Sequence, residues 1–321
     1  MLPKATQRPL RFFFLSVLFC GLILHSAAQS QSAAHEPNPV IFKSTMLTSK
    51  DSTEDVSSKS LANTGVGSVL AKYGKTNQLY YKMVDSLAKV IFKHPLEDST
   101  GLSYSQEWVG TPNMGLRRPN FVVIHHTANN SCEETLNYFA TPGGKEASAH
   151  YVICKDGTVH HMLNDLLRSH HAGDSKWGNN TDLNSSSIGI ELDNNGYQPF
   201  TEAQMNSLTI LLDRLKTAYR IPTANFIGHG DVAPSRKTDP GVQFSWKALS
   251  ERGFGLWWDD TTNVQVPDTF DYLMGLRIIG YDISSPGSAL AAFKRHFMND
   301  NSPIINAEVR KVIYMVYRKF E

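Results

Sequence analysis

Apolar residues fall in short bounded runs through the middle of the chain and in helical stripes towards both ends. Four β-favouring residues, Phe121 to Ile124, predict a buried strand ending at His125. Ile188-Gly189-Ile190 predicts a second strand that ends on Glu191, and Asn225-Phe226-Ile227-Gly228 a third that delivers His229. Tyr151 to Cys154 and Thr158 to Met162 flank Lys155-Asp156-Gly157, whose Asp-Gly pair accepts positive φ, so they read as a hairpin. Ser131-Cys132-Glu133-Glu134 has the form of a capping box opening a helix with Leu136, Phe139 and Ala140 on one side. Thr201-Glu202-Ala203-Gln204 opens another, with Met205, Leu208, Leu211, Leu212 and Leu215 as its core stripe. Strands interleaved with helices predict one α/β domain over residues 111–250.

The flanks differ in character. Residues 66–96 carry Val69, Leu70, Tyr73, Tyr80, Tyr81, Val84, Leu87, Ala88 and Ile91 at spacings that suit one or two helices packing on the core, so 66–110 is read as a helical N-terminal extension. Beyond Ser250, stripes at Phe270, Leu273, Leu276 and Ile279, at Ala289 to Phe297, and at Val309 to Tyr317 predict three short helices within 251–321. The first two are separated by Gly280-Tyr281-Asp282. Residues 29–65, rich in Ser, Thr, Lys and Asp without periodicity, predict a flexible linker.

At the N-terminus Lys4, Arg8 and Arg11 precede the apolar run Phe12 to Leu24, and Ser26-Ala27-Ala28 offers small residues for cleavage. Residues 1–28 therefore read as a secretory signal peptide, and the protein is expected to be exported, periplasmic or extracellular. The run is short of the about 20 residues a membrane span needs, so no span is expected in the mature form. Residues 1–28 hold three of the 31 basic residues and none of the 30 acidic ones, which leaves the remainder at −2. That near-neutral balance argues against a nucleic-acid partner. Removing the signal also leaves Cys132 and Cys154 in a compartment that permits a disulfide, though sequence does not fix their separation.

Residue types at the strand ends suggest chemistry. Two neutral imidazoles and a carboxylate make a normal shell for catalytic zinc, with the fourth position left for water. His125 and His229 are placed to serve, but spacing alone is not diagnostic in a chain with twelve histidines. Glu191 puts a carboxylate at the end of a core strand, where a charge is costly unless it is used. His126 falls on the opposite face by the two-residue period and reads as structural.

Six collinear segments carry more. They are Ile124-His125-His126-Thr127-Ala128, Ala147 to Ile153, His171-Ala172-Gly173, Ser187 to Leu192, Gly228-His229-Gly230-Asp231 and Arg236-Lys237-Thr238-Asp239-Pro240-Gly241. In this order they resemble the type-2 zinc N-acetylmuramoyl-L-alanine amidases, relatives of phage lysozyme-amidases and peptidoglycan recognition proteins. The resemblance implies a central mixed β-sheet flanked by helices. It also implies one zinc ion held by His125, His229 and Asp239, with Glu191 as the catalytic carboxylate and Lys237 assisting at the oxyanion. His150 and His171 lie in matching segments and are candidates for contact with substrate or for support of the ligands. Trp177, in a Gly- and Asn-rich loop, is a candidate sugar platform or a loop anchor. The C-terminal helices look like the small peptidoglycan-binding module of some exported amidases, or serve as an extension that packs on the catalytic domain.

The implied reaction is zinc-dependent cleavage of the bond between N-acetylmuramic acid and L-alanine, with peptidoglycan or muropeptides as partners. A protein that binds peptidoglycan in the same groove without cutting it is the alternative class. A zinc hydrolase of another amide is a more remote one, because ligands fix a reaction class better than a substrate.

Overall fold

The structure is a computed structural model that describes residues 72–91, 111, 113, 115–141 and 146–321. The expected signal peptide and linker, and residues 66–71 and 92–110 of the N-terminal extension, lie outside the described residues.

Among the described residues one helix precedes the sheet, α1 (Gly74–Ile91). Then come β1 (Phe121–His126), α2 (Cys132–Ala140), β2 (Tyr151–Ile153), β3 (Val159–His161), α3 (Leu183–Ser186), β4 (Ser187–Leu192), α4 (Glu202–Tyr219) and β5 (Phe226–Gly228). The sheet is mixed, in the order β3-β2-β4-β1-β5, with β1 parallel to both β4 and β5, β2 parallel to β4, and β3 antiparallel to β2. The predicted hairpin is β2–β3, and Gly157 in its turn takes φ 87, where a side chain would be strained.

Alternation along the strands decides which side chains meet. Val122, Ile124, Ile188, Ile190 and Phe226 turn to one face and pack with Leu208, Leu211, Leu212 and Leu215 of α4, the stripe read from the sequence. Val123 and Ile227 turn to the other face, against Ala172, Leu183 and Val232. By the two-residue period, His125 follows Val123 and Glu191 follows Gly189 onto that second face. Each fully buried aliphatic side chain in these layers contributes about 1.5–3 kcal/mol.

Both predicted capping boxes open their helices, each with a change. The Ser131 hydroxyl accepts from Glu134 N–H, and the Glu134 carboxylate reaches back one residue further than expected, to Asn130 N–H. Thr201 accepts from Gln204 N–H, but the Gln204 side chain turns inward and its amide donates to Ile153 O and Asp193 O. Two strand-end carbonyls are more valuable partners for a buried amide than one exposed cap.

Cys132 at the start of α2 and Cys154 after β2 form a disulfide with Cα atoms 5.3 Å apart, 22 residues apart in sequence. Closing a loop of that size stabilises by about 3 kcal/mol through the unfolded chain. Reduction, or Cys132→Ser, is expected to lower the thermal midpoint by several degrees; an unchanged melting curve under reductant would refute the contribution.

After β5 come α5 (His229–Val232), α6 (Trp246–Ser250), α7 (Tyr272–Ile279), α8 (Pro286–Met298) and α9 (Ala307–Tyr317). The last three are the predicted C-terminal helices. Their core holds Leu276, Ile279, Tyr281, Leu290, Phe293, Val312 and Val316, with Trp177, Trp257 and Trp258 packed against it. Trp257 also packs on the first core and Trp177 on the layer behind the sheet, so these indoles join the C-terminal helices to the α/β domain.

Helix α1 departs from expectation. No residue in it is buried, and Leu79, Met83, Leu87 and Ile91 stay exposed. Thr76 Oγ1 donates to Ala140 O, and Lys72, two residues before the helix, pairs with Glu133. The stripe is present, but the sheet is already covered by its own helices. Among the described residues no helix is long and apolar enough to cross a membrane.

Candidate active site

Strand register brings the chemistry together. In the parallel pairing of β1 with β4, His125 lies directly beside Glu191, and β5 on the other side of β1 ends one residue before His229. All three lie at the carboxyl ends of parallel strands, where open sheets place ligands. Asp239 arrives from the following loop, which Gly230 N–H holds by donating to Asp239 O at 2.6 Å.

Three donor atoms converge. His125 Nδ1 is 2.9 Å from His229 Nδ1, and Asp239 Oδ2 is 3.2 Å from the first and 3.0 Å from the second. A tetrahedral metal with bonds of about 2.0–2.1 Å needs donors about 3.3 Å apart, so the spacing suits a small divalent ion. Among the described residues one other cluster of ligand-type residues, Cys132, Cys154 and His160, has both sulfurs committed to the disulfide.

The outward nitrogens of both imidazoles are tied down. His229 Nε2 donates to Ala172 O at 3.1 Å. His125 Nε2 is 3.0 Å from His171 Nδ1, His171 Nε2 is 3.0 Å from Ser187 Oγ, and Ser187 donates to Leu183 O. Followed from the Leu183 carbonyl, the chain assigns each proton: Ser187 gives its own, so it accepts from His171, and His171 accepts from His125. Both Nδ1 lone pairs are thereby freed for a metal, the arrangement by which neighbours fix a ligand's tautomer. Burial, and then the charge of His229, lowers the His125 pKa to about 4, so the ring is neutral near pH 7. Burial and then His125 push His171 well below the usual histidine range. Burial would raise Asp239, but its closeness to His125 and His229 outweighs that and holds it well below the usual carboxylate range.

Glu191 is set apart from the three donors. Its Oε1 is 3.9 Å from His125 Nδ1, and its Oε2 is buried without a hydrogen-bond partner among the described residues. Burial, then the Asp239 charge, raises its pKa to about 8, against the opposing pull of Lys237. A buried carboxylate oxygen left unpaired is costly, and it suits a group that must pick up a proton. Lys237 is half-buried and lines the same cleft, which encloses about 470 Å³. Thr127, Ala128, Asn129, Tyr138, Phe139 and Arg236 are also in its wall.

The remaining sequence candidates separate. His171 is buried behind His125 and supports it. It lies so close to β4 that a Cβ on Gly189 would come within 2.4 Å of its ring, which explains the glycine between two isoleucines. His150 is corrected as a substrate contact. It is fully buried, its Nδ1 accepts from Gly189 N–H, and its Nε2 faces Leu167 O and the Arg117 guanidinium. Of the two readings of Trp177 the structure shows the loop anchor and not the sugar platform: it packs edge-on against Tyr281 and over Gly280, with its backbone bridged to Asn180, and so ties the loop to the C-terminal helices. His126 accepts from Gly241 N–H, a structural role as read from its parity.

Sequence reading gave no role to several supports. Asn184 Oδ1 accepts from both His171 N–H and Ala172 N–H, and Arg236 Nη2 donates to Ala172 O, the carbonyl that orients His229. Their only sequence signal is position inside or beside matched segments. Removing such an outer partner typically costs about 10- to 100-fold in metal affinity. His171→Ala is therefore expected to weaken divalent-metal binding by that factor in chelator competition, and parental affinity would refute the relay.

Residues 115–242 match a family model described as N-acetylmuramoyl-L-alanine amidase. The N-acetylmuramoyl-L-alanine amidase AmiD of Escherichia coli (strain K12) is 31% identical over 211 residues, 56% of this chain and 75% of that protein. The 1,6-anhydro-N-acetylmuramyl-L-alanine amidase AmpD of Haemophilus influenzae is 38% identical over 111 residues, 34% of this chain and 60% of that protein. Among solved structures, Escherichia coli AmiD in complex with the substrate anhydro-N-acetylmuramic acid-L-Ala-D-gamma-Glu-L-Lys aligns with a TM-score of 0.58 at 27% identity, covering 65% of this chain and 93% of that one. AmpDh3 of Pseudomonas aeruginosa aligns with the same TM-score at 28% identity, covering 68% and 98%.

Proposed function

Because the chain belongs to the N-acetylmuramoyl-L-alanine amidase family of type 2, we propose that it is a zinc-dependent hydrolase of the amide between N-acetylmuramic acid and L-alanine in peptidoglycan or muropeptides. The observation that carries the reading is the convergence of His125 Nδ1, His229 Nδ1 and Asp239 Oδ2 beside the unpaired Glu191 carboxylate. These three residues would hold the single zinc ion. When bound, zinc polarises a carbonyl oxygen and lowers the pKa of water towards about 7.

The chain's own groups carry the protons. Glu191 Oε2, buried beside the three donors with no hydrogen-bond partner among the described residues, takes a proton from the attacking water and returns it to the departing amine of L-alanine. Lys237 sets its ammonium towards the negative charge that develops on the scissile carbonyl oxygen. His171 and the Ala172 carbonyl keep the two imidazoles oriented. The products are a muramic acid carboxylate and a stem peptide with a free L-alanine amine.

The domain reading completes the proposal. Residues 1–28 direct export to the periplasm or beyond, 29–65 act as a linker, 66–110 form the N-terminal extension, 111–250 form the catalytic domain and 251–321 the helical C-terminal region. Anhydro-muropeptides are a natural probe, since that is the ligand of the AmiD complex. Incubating the protein with purified peptidoglycan, and separately with an anhydro-muropeptide, should release peptides that begin at L-alanine, identified by mass spectrometry. Binding to the wall without such peptides from either substrate would support the non-catalytic recognition reading instead.

A further inference from the structure

Helix α8 carries a cation and a histidine in an unusual setting. Every residue from Ala292 to Phe297 is buried, and among them are Arg295 at 6% exposure and His296 at 4%. Such groups are rarely buried unless they are used. Both face the loop that supplies the second histidine of the cleft. His296 Nδ1 is 2.7 Å from Asp231 Oδ2, and the ring is stacked on Trp246 at 4.0 Å. Tyr281, buried between α7 and α8, donates its hydroxyl to Asp231 Oδ1 at 2.8 Å. Asp231 Oδ2 also accepts from Gly228 N–H at 2.7 Å, which closes the turn His229–Val232 onto the end of β5.

Arg295 acts on the neighbouring residue. A Cβ built on Gly230 would come within 2.5 Å of Arg295 Nη1, 3.3 Å of Lys237 O and 3.4 Å of Asp239 O. The bare glycine backbone is therefore sandwiched between the guanidinium and the loop that carries Lys237 and Asp239, and it donates its N–H to Asp239 O. Asn301 Oδ1 holds the guanidinium in place through Nε at 2.8 Å. His125 is fixed by the sheet; His229 and Asp239 are fixed by this packing.

We propose that Tyr281, Arg295 and His296 are positioning residues of the active site, by which the C-terminal helices set two of its three metal donors. The C-terminal region is then required for the chemistry. The inference rests on the proposed reading of His229 and Asp239 as metal ligands. Asp231 is the point of transmission: its carboxylate takes bonds from β5, α8 and Tyr281, two residues after the donor histidine.

The test uses the full chain, with Tyr281→Phe, which removes one hydroxyl from an otherwise unchanged ring, and His296→Ala with His296→Asn as its conservative partner. Zinc affinity is read by chelator competition, and donor geometry by the visible spectrum of the cobalt(II)-substituted protein. Tyr281→Phe should weaken zinc about ten-fold, alter the cobalt spectrum, and lower kcat with KM little changed. His296→Asn should recover part of what His296→Ala loses. Parental zinc affinity and cobalt spectrum in Tyr281→Phe would overturn the inference, as would a lower thermal midpoint with both unchanged. Should His296→Ala fail to fold, Tyr281→Phe decides alone. Should the parental protein itself bind neither metal, the proposed function fails first, and the two failures are told apart.

Discussion

Glu191→Ala is expected to lower kcat by about 10²- to 10⁴-fold while leaving one zinc per chain. The carboxylate lies beside the three converging donors without being one of them: its Oε1 is 3.9 Å from His125 Nδ1, against 2.9–3.2 Å among the donors themselves. Its Oε2 has no partner to lose, so the substitution breaks no hydrogen bond of that oxygen. Removing a buried carboxyl held up by desolvation should leave folding intact or improve it. Metal content and thermal midpoint should therefore match the parent while turnover falls. Near-parental kcat would remove Glu191 from the mechanism, and loss of zinc would make it a ligand.

His229→Ala should have the opposite signature in the metal assay. The residue supplies one of the three converging donors, its Nδ1 lying 3.0 Å from Asp239 Oδ2. Zinc affinity should drop well beyond the about 10- to 100-fold that supporting groups cost, and cleavage should vanish with it. The variant should stay folded, because the layer beneath it is closed by Val123, Ile227 and Val232. A His229→Ala protein that retains one zinc and cleaves at the parental rate would contradict the ligand assignment.

Much of this site was legible because strand parity is a local property. Phe121–Ile124 and Ile188–Ile190 each predict a strand, and the residue after each run is the one that reaches the cleft. The register that sets His125 beside Glu191 is tertiary, yet the ordered segments anticipated the outcome. The disulfide follows the same pattern: the expected export suggested it, and the packing of α2 on β2 brought the Cα atoms to 5.3 Å.

What escaped was whatever depended on burial from two sides. His150 reads like a groove residue until the Arg117 and Leu167 contacts enclose it. For Trp177 sequence left a sugar platform and a loop anchor open, and the slot that the glycine at position 280 opens for its ring, which decides for the anchor, is tertiary. Arg295 falls off the Ala289–Phe297 apolar stripe while His296 falls on it, and α8 is covered on the side of His229–Val232 as well, so both are buried. The apolar stripe of α1 misled in the other direction, because periodicity states what a helix could bury and says nothing about whether a partner is free.

The most direct test of the account is the cleavage of anhydro-muropeptide by the purified protein after metal analysis, after chelation, and after zinc is restored. The account predicts one zinc per chain, release of peptides beginning at L-alanine, loss of that release on chelation, and its return with zinc. Undiminished cleavage by a protein verified to be free of metal would contradict it.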